Sequence, residues 1–114
     1  MRKNIKLVCD DVEFDASYST SSGKLTVINR ATPPIFQLRV RLSGGGSYGT
    51  EEITADTHDS WEPMGLSQEG RFVGEFDVDS AEKIIVFPVL IGESEDGRRT
   101  YVCEGQYGEE IDLS

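Results

Sequence analysis

The sequence predicts an all-β protein, a single immunoglobulin-like (Greek-key) β-sandwich of about seven or eight strands that spans residues 1–114. Apolar and polar residues alternate with period two along much of the chain, as in strands with one buried face. Turn residues recur about every 8–14 positions, which is typical of a β-sandwich. A length of 114 residues fits one domain and leaves no room for two. A barrel of five or six strands is the alternative architecture.

The first two predicted strands form a hairpin. Val12–Tyr18 alternates between apolar and polar or acidic residues, the pattern of a half-buried strand. A turn at residues 19–23, with three serines and a glycine, leads into the second strand. In that strand Leu25, Val27 and Asn29 are expected to share one face.

A proline step separates this hairpin from the next strand. Pro33 and Pro34 cannot donate hydrogen bonds to a β-ladder, so strand pairing should stop there. The strand Ile35–Leu42 follows and alternates cleanly. The loop Ser43–Gly49 contains four glycines in seven residues and ends this strand. We predict a short edge strand at Glu51–Thr57.

The second half of the chain begins with a crossover around Trp61, where apolar residues lack a clean period. We expect this segment to close one end of the core. Four strands should follow, at Phe72–Val78, Ile84–Ile91, Arg98–Glu104 and Glu109–Leu113. The second of these is the most hydrophobic run and should be central in its sheet. An Asp-Gly turn within residues 93–97 predicts a hairpin between the second and the third.

The charge distribution argues against nucleic-acid binding. Residues 1–57 carry seven basic and seven acidic side chains, whereas residues 58–114 carry four and fourteen. Phosphate backbones are bound through Lys and Arg, so a chain of net charge −10 is a poor general binder. Arg39 and Arg41 alternate with apolar neighbours, which predicts the solvent face of a strand with a carboxylate partner across the sheet. We expect no nucleic-acid partner.

Hydropathy argues against membrane insertion by this chain itself. The mean hydropathy is −0.37, and no apolar run reaches the ~18–20 residues of a membrane-spanning helix. The start of the chain also lacks the apolar core of a signal peptide. The expected location is extracytoplasmic or at the cell surface if the sequence is a trimmed part of a longer protein, and cytoplasmic otherwise.

Two cysteines, Cys9 and Cys103, lie near opposite ends of the chain. The first and last strands of a sandwich often run side by side, so a disulfide between them, closing a loop of about 95 residues, is one expectation. Two buried thiols are the other. A disulfide would place the protein in an oxidising compartment.

The composition offers little for catalysis. His58 is the only histidine, and it lies in a polar T-H-D-S stretch that matches no nucleophile motif. We expect no enzyme activity, no catalytic residue and no cofactor. A zinc site of ordinary composition is excluded. Calcium suits the abundant carboxylates better, with Asp77, Asp79 and Glu82 as candidate ligands, and a solvated acidic face is the alternative.

Two aromatic residues are candidate contact residues. Tyr48 lies in the glycine-rich loop, which is either a binding loop or a plain connection. Trp61 either stacks on a carbohydrate or packs at the end of the core, and packing is the favoured interpretation.

The order of motifs resembles that of known sandwich domains. Residues 12–42 contain V-x-F-x-x-x-Y, a Ser-Gly turn, L-x-V-x-N and a proline step into I-x-x-L-x-V. This order is similar to sandwich domains of archaeal type IV pilin-like proteins, to the soluble domains of archaellum stator proteins and to adhesion-type surface modules. Residues 83–105, KIIVFPVLIGESEDGRRTYVCEG, are similar to the late hairpin of those domains.

The resemblance implies an immunoglobulin-like scaffold without catalytic residues. It also implies a structural role for Asn29, whose amide would hold the turn that follows it. The sequence departs from the pattern at Ala31-Thr32, where a glycine is usual, and it lacks the hydrophobic N-terminal helix of pilin-like proteins. Filament membership therefore requires that this helix was trimmed.

These observations predict a non-catalytic β-sandwich module that mediates protein–protein contacts, in a surface or filament/secretion-type assembly. The contact would be with a protein partner or by self-association, through the edge strands and the glycine-rich loop. The alternative function is a small ligand- or carbohydrate-binding sandwich, acting with or without calcium.

Overall fold

The computed structural model describes residues 9, 11–31, 34–44, 49–78, 81–94, 97–103 and 105–113. These residues form an all-β fold of eight strands, with a 3-10 turn at Gly105–Tyr107. The strands are β1 (Phe14–Ser19), β2 (Lys24–Asn29), β3 (Gln37–Ser43), β4 (Gly49–Ile53), β5 (Arg71–Glu75), β6 (Lys83–Ser94), β7 (Gly97–Val102) and β8 (Glu109–Asp112). Within these segments, no helix has the length and apolar character needed to cross a membrane.

The strands form two antiparallel sheets, which confirms the all-β, sandwich-like character predicted from the alternation. The first sheet has the order β1-β2-β5, and the second has the order β4-β3-β6-β7, with β8 also paired to β6. Because β2 and β3 belong to different sheets, the proline step between them crosses from one sheet to the other. The predicted central position of the most hydrophobic strand is confirmed, since β6 pairs with β3, β7 and β8.

The core lies between the two sheets and is built by the period-two residues. The buried apolar side chains of the first sheet include Leu25, Val27 and Phe72. They belong to one continuous cluster with the inward side chains of the second sheet, among them Leu38, Val40, Leu42, Ile53, Ile84 and Val86. Strands β2 and β3 therefore bury alternate residues, as their sequence pattern predicts, whereas β6 buries consecutive residues from Val86 to Leu90.

One side of β6 is covered in an unexpected way. Phe87 pairs with Arg39 and so lies on the outer face of its sheet, yet only 3% of it is exposed. The Arg41 guanidinium lies 5.2 Å from the centre of the Phe87 ring, and the backbone at Gly108 packs against the same ring. A Cβ at Gly108 would come within 2.6 Å of Phe87 Cε1, so this close approach requires glycine.

Several strand boundaries differ from the sequence prediction. The edge strand expected at Glu51–Thr57 is instead Gly49–Ile53, because the chain turns after it and the Thr57 N–H donates to the Thr54 carbonyl (3.2 Å). The strand expected from Ile35 begins at Gln37, because Ile35 instead exchanges two backbone hydrogen bonds with Leu66 of the crossover (3.0 and 2.7 Å). The strand expected to reach Val78 ends at Glu75. One more backbone hydrogen bond joins the Phe76 N–H to the Gly23 carbonyl in the turn just before β2, so the pairing stops where β2 stops.

Candidate protein-interaction surface

The outer side of β5, opposite β2, pairs with no other strand of the described residues, and we call it the β5 edge. The Phe76 N–H donates to the Gly23 carbonyl (2.9 Å), and the Asn29 N–H donates to the Gly70 carbonyl (3.0 Å). Even-numbered residues of this segment therefore point their backbone groups toward β2. In an antiparallel ladder, alternate residues point theirs to the opposite side. The residues whose N–H and C=O face the β5 edge are Arg71, Val73 and Glu75.

The β5 edge exposes an apolar side chain. Val73 is 43% exposed and Met64 is 72% exposed, and they are the two exposed large hydrophobic residues in the described part of the chain. Arg71 and Glu75, on the same face of β5 as Val73, are also exposed. A short strand with an exposed valine and open backbone groups is a template for a further strand.

The edge at β4 differs from the β5 edge. Glu51 pairs with the buried Val40 and so lies on the core-facing side of the strand, yet it is exposed. An inward-pointing charge of this kind discourages further strand pairing. Glu52, on the other face of β4, forms an ion pair with Arg39 (3.1 Å). Of these two edges, the β5 edge is therefore the one better suited to adding a further strand.

A surface pocket begins where β5 begins. It has a volume of about 430 Å³, and its lining includes Pro34, Met64, Leu66, Gly70 and Arg71. The pocket joins the exposed Met64 side chain to the first residue of the β5 edge. An apolar side chain from an added strand would find a complementary surface there.

His58 holds one end of the β5 edge. Its Nε2 lies 3.0 Å from the Glu75 carbonyl oxygen, and its Nδ1 lies 2.9 Å from the Thr57 hydroxyl. Because a carbonyl can only accept, Nε2 carries the proton. The ring also makes an edge contact with Phe72, with the two ring centres 5.9 Å apart. His58 thus uses both nitrogens to attach its loop to β5.

Of the two aromatic candidates from the sequence, the described structure contains only Trp61. Trp61 is 2% exposed, its Nε1 donates to the Phe36 carbonyl (2.8 Å), and its ring contacts Phe72 edge-on. This is the packing role that the sequence favoured for Trp61, and it leaves no ring face open for stacking on a ligand. Tyr48 lies outside the described residues.

The proposed calcium ligands are only partly described. Asp77 and Glu82 are exposed, and Asp79 lies outside the described residues. Across the described segments, no group of three or more His, Cys, Asp or Glu side chains is placed to hold a metal ion. Asp77 does act electrostatically on Tyr18, whose hydroxyl donates to the Phe76 carbonyl (2.7 Å). Burial raises the pKa of Tyr18, and the charge of Asp77 raises it further.

Three arginines make contacts on the outer surfaces of the sheets. Arg30 bonds Asp15 (2.7 Å), and this hydrogen bond and charge raise the pKa of the Arg30 guanidinium. Arg39 pairs with Glu52 directly across the sheet, as the sequence predicts for a solvent-facing arginine. Arg41 stacks on the ring described above instead of pairing with a carboxylate in the described structure.

Cys9 and Cys103 form a disulfide, the first of the two alternatives that the sequence leaves open. Their Cα atoms are 5.8 Å apart across a separation of 94 residues, and both residues are fully buried. Leu90, Val12 and Tyr101 pack around the bond and form a second cluster beside the main core. The disulfide thus joins the segment before β1 to the end of β7.

Sequence reasoning predicted β5 as a strand but did not identify Arg71, Val73, Glu75 or Met64 as surface candidates. The available signal was the R-F-V-G-E segment, in which a valine stands between two residues of opposite charge on the face opposite Phe72. No family model, no curated protein and no solved structure matches this chain.

Proposed function

We propose that this protein is a non-catalytic β-sandwich module that mediates protein–protein contacts, with a protein partner or by self-association. The observation that carries the proposal is the β5 edge, where the backbone groups of Arg71, Val73 and Glu75 point away from β2 and the Val73 side chain is exposed, with only the Glu75 carbonyl bonded, to His58, among the described residues. An extended segment of another chain can add to such an edge through main-chain hydrogen bonds, while side chains supply specificity.

The fold that we propose in finer detail is immunoglobulin-like, with Greek-key connections. Under this proposal, β1, β2 and β5 would be strands A, B and E of the first sheet, and β4, β3, β6 and β7 would be C′, C, F and G of the second, an assignment that the observed strand orders support. Constant-type domains carry a fourth strand, D, on the first sheet, whereas here β4 pairs with β3 in the second sheet. Strands β7 and β8 both pair with β6, which supports assigning them together to strand G.

The setting that we propose is a surface or filament/secretion-type assembly, the class implied by the resemblance to archaeal pilin-like, archaellum stator and adhesion-type domains. The Cys9–Cys103 disulfide supports this setting, because such bonds form and persist mainly in oxidising compartments. The two-sheet scaffold also supports it, since rigid sandwiches commonly present their edges and loops to partners.

A photo-crosslinking experiment in the source cells tests the proposed contact. The photoreactive amino acid p-benzoylphenylalanine is placed at Val73 in one variant and, as a matched control, at the exposed Glu51 of the β4 edge in another. We expect discrete protein adducts from position 73 and few from position 51. Equal labelling from both positions, or no protein adduct from position 73, would contradict a docking role for the β5 edge.

A further inference from the structure

The β5 edge is complementary to a second copy of itself. On its solvent-facing side the strand presents Arg71, Val73 and Glu75 in that order. If two such strands run antiparallel with their two Val73 residues opposite each other, each Arg71 stands across from Glu75 of the second copy. The side-chain pattern is therefore unchanged by a twofold axis through Val73, as an isologous interface requires.

We propose that the protein self-associates by antiparallel pairing of β5 with β5 of a second copy, about a twofold axis at Val73. This inference rests on the proposed function and names the partner that fits the β5 edge. The two three-stranded sheets would join into one six-stranded sheet with the order β1-β2-β5-β5-β2-β1.

The hydrogen-bonding phase of β5 agrees with this register. Val73 points both its N–H and its C=O away from β2, so the two Val73 residues would form a hydrogen-bonded pair that exchanges two bonds. The backbone N–H and C=O groups of Arg71 and Glu75 also point away from β2. Each Arg71 would therefore form a further hydrogen-bonded pair with Glu75 of the second copy. A register shifted by one residue would place Val73 opposite a residue whose backbone groups point the other way.

The side chains also fit on both faces. On the outer face, the two Val73 side chains would contact each other at the axis and bury apolar surface that is 43% exposed in one copy. On the inner face, each Phe72 would stand opposite Gly74 of the second copy, which adds no side chain of its own and is already packed against Phe72 and Ser60 of its own chain. Phe72 itself is already buried in its own core.

The charges favour this pairing over parallel addition. In the antiparallel arrangement both cross-strand ion pairs join Arg71 to Glu75, whereas parallel pairing in the same alignment places like charges beside each other. Neither Arg71 nor Glu75 forms an ion pair with another described residue. Both are therefore available for an intermolecular pair.

His58 bonds one of the groups that the pairing uses. Its Nε2–H donates to the Glu75 carbonyl, which would also accept the Arg71 N–H of the second copy. A carbonyl oxygen has two lone pairs and can accept both donors. The central Val73 pair and the bonds from the Glu75 N–H are independent of His58.

Charge reversal tests the proposal in the purified chain by sedimentation velocity across a concentration series at low salt. The wild-type chain should form a reversible dimer. Arg71→Glu and Glu75→Arg should each weaken it about tenfold or more, because two attractive pairs become repulsive. Mixing these two variants should restore association, since every Arg then meets a Glu, and the double variant should self-associate like the wild type.

Controls separate this proposal from loss of folding and from the proposed function. Glu51→Arg makes the same charge change at the β4 edge and should leave dimerisation unchanged, while fluorescence of the buried Trp61 reports folding of every variant. A monomeric wild-type chain, or variants that fail to pair when mixed, would overturn the self-pairing. If position 73 still crosslinked to a different protein in cells, the docking function would stand without self-association.

Discussion

Replacement of the buried Asn29 should reveal how the crossover is fixed to β2. Its Nδ2 donates to the Leu66 carbonyl (2.9 Å), and its Oδ1 accepts the Ala31 N–H (3.0 Å). Its backbone also bonds Gly70 and Glu69. The side chain therefore links the end of β2, the start of the sheet-crossing connection and the segment that leads into β5.

Asn29→Leu keeps the branching and the number of side-chain heavy atoms and removes these two side-chain hydrogen bonds. Each bond contributes about 1 kcal/mol, and leaving the Ala31 N–H without this partner costs about 1–3 kcal/mol. The loss of the bond to the Leu66 carbonyl costs less free energy, because this carbonyl still accepts the Ile35 N–H. The free energy of unfolding should fall by about 3 kcal/mol, a large share of the ~5–15 kcal/mol that is typical of a domain.

Asn29→Asp adds a pH signature to this test. The introduced carboxylate keeps the acceptor for Ala31 but directs a second acceptor at the Leu66 carbonyl. Burial raises the pKa of a carboxyl above its unfolded value of about 3.9. The variant should therefore lose little stability below pH 4, and its deficit relative to the wild type should grow as the pH rises toward the folded-state pKa.

Urea unfolding monitored by Trp61 fluorescence measures these effects at pH 4 and pH 7. Gln68→Leu, which alters an exposed amide in the same crossover segment, is the matched control and should change stability by less than about 0.5 kcal/mol. An Asn29→Leu variant as stable as this control would refute the role assigned to Asn29. An Asn29→Asp deficit that does not change with pH would refute the buried-carboxylate argument.

Two further predictions concern the disulfide and Tyr18. Replacing both Cys9 and Cys103 by Ala should lower the free energy of unfolding in urea by about 4–5 kcal/mol, since the bond closes a very long loop, and a loss below about 1 kcal/mol would contradict its structural role. Burial raises the pKa of Tyr18, so the folded state binds more protons than the unfolded state above about pH 10 and stability should fall there as the pH rises. Tyr18→Phe should reduce this alkaline loss in pH-dependent urea titrations, and an unchanged pH profile would count against it.

The sequence predicted the strands and most of the core because period two is a local property. Leu25 and Val27 lie at alternate positions of β2, and Phe72 lies on the inner face of β5; all three are buried as expected. In a continuous apolar run, the sequence does not show which residues point to the core and which to the outer face, because this depends on the neighbouring strands. The sequence therefore could not show that Phe87 lies on the outer side of β6 under Arg41.

The candidate site could not be predicted because it depends on which strands become neighbours. The open side of β5 is set by its register with β2, which is in turn fixed by contacts such as Asn29 N–H to the Gly70 carbonyl. The meeting of Cys9 with Cys103 is likewise a property of the folded chain, 94 residues apart in sequence. For the two cysteines, the sequence could only leave a disulfide and two buried thiols as alternatives.

Residue-resolved amide hydrogen exchange tests the central claim, the open β5 edge, most directly. At low protein concentration the Phe72 and Gly74 amides should be protected by β2, whereas the Arg71 and Val73 amides should exchange rapidly. At concentrations where a partner strand or a second copy is bound, the Val73 amide should become protected as well. Protection of Val73 equal to that of Phe72 in the dilute monomer would contradict the account, because the edge would then already be closed.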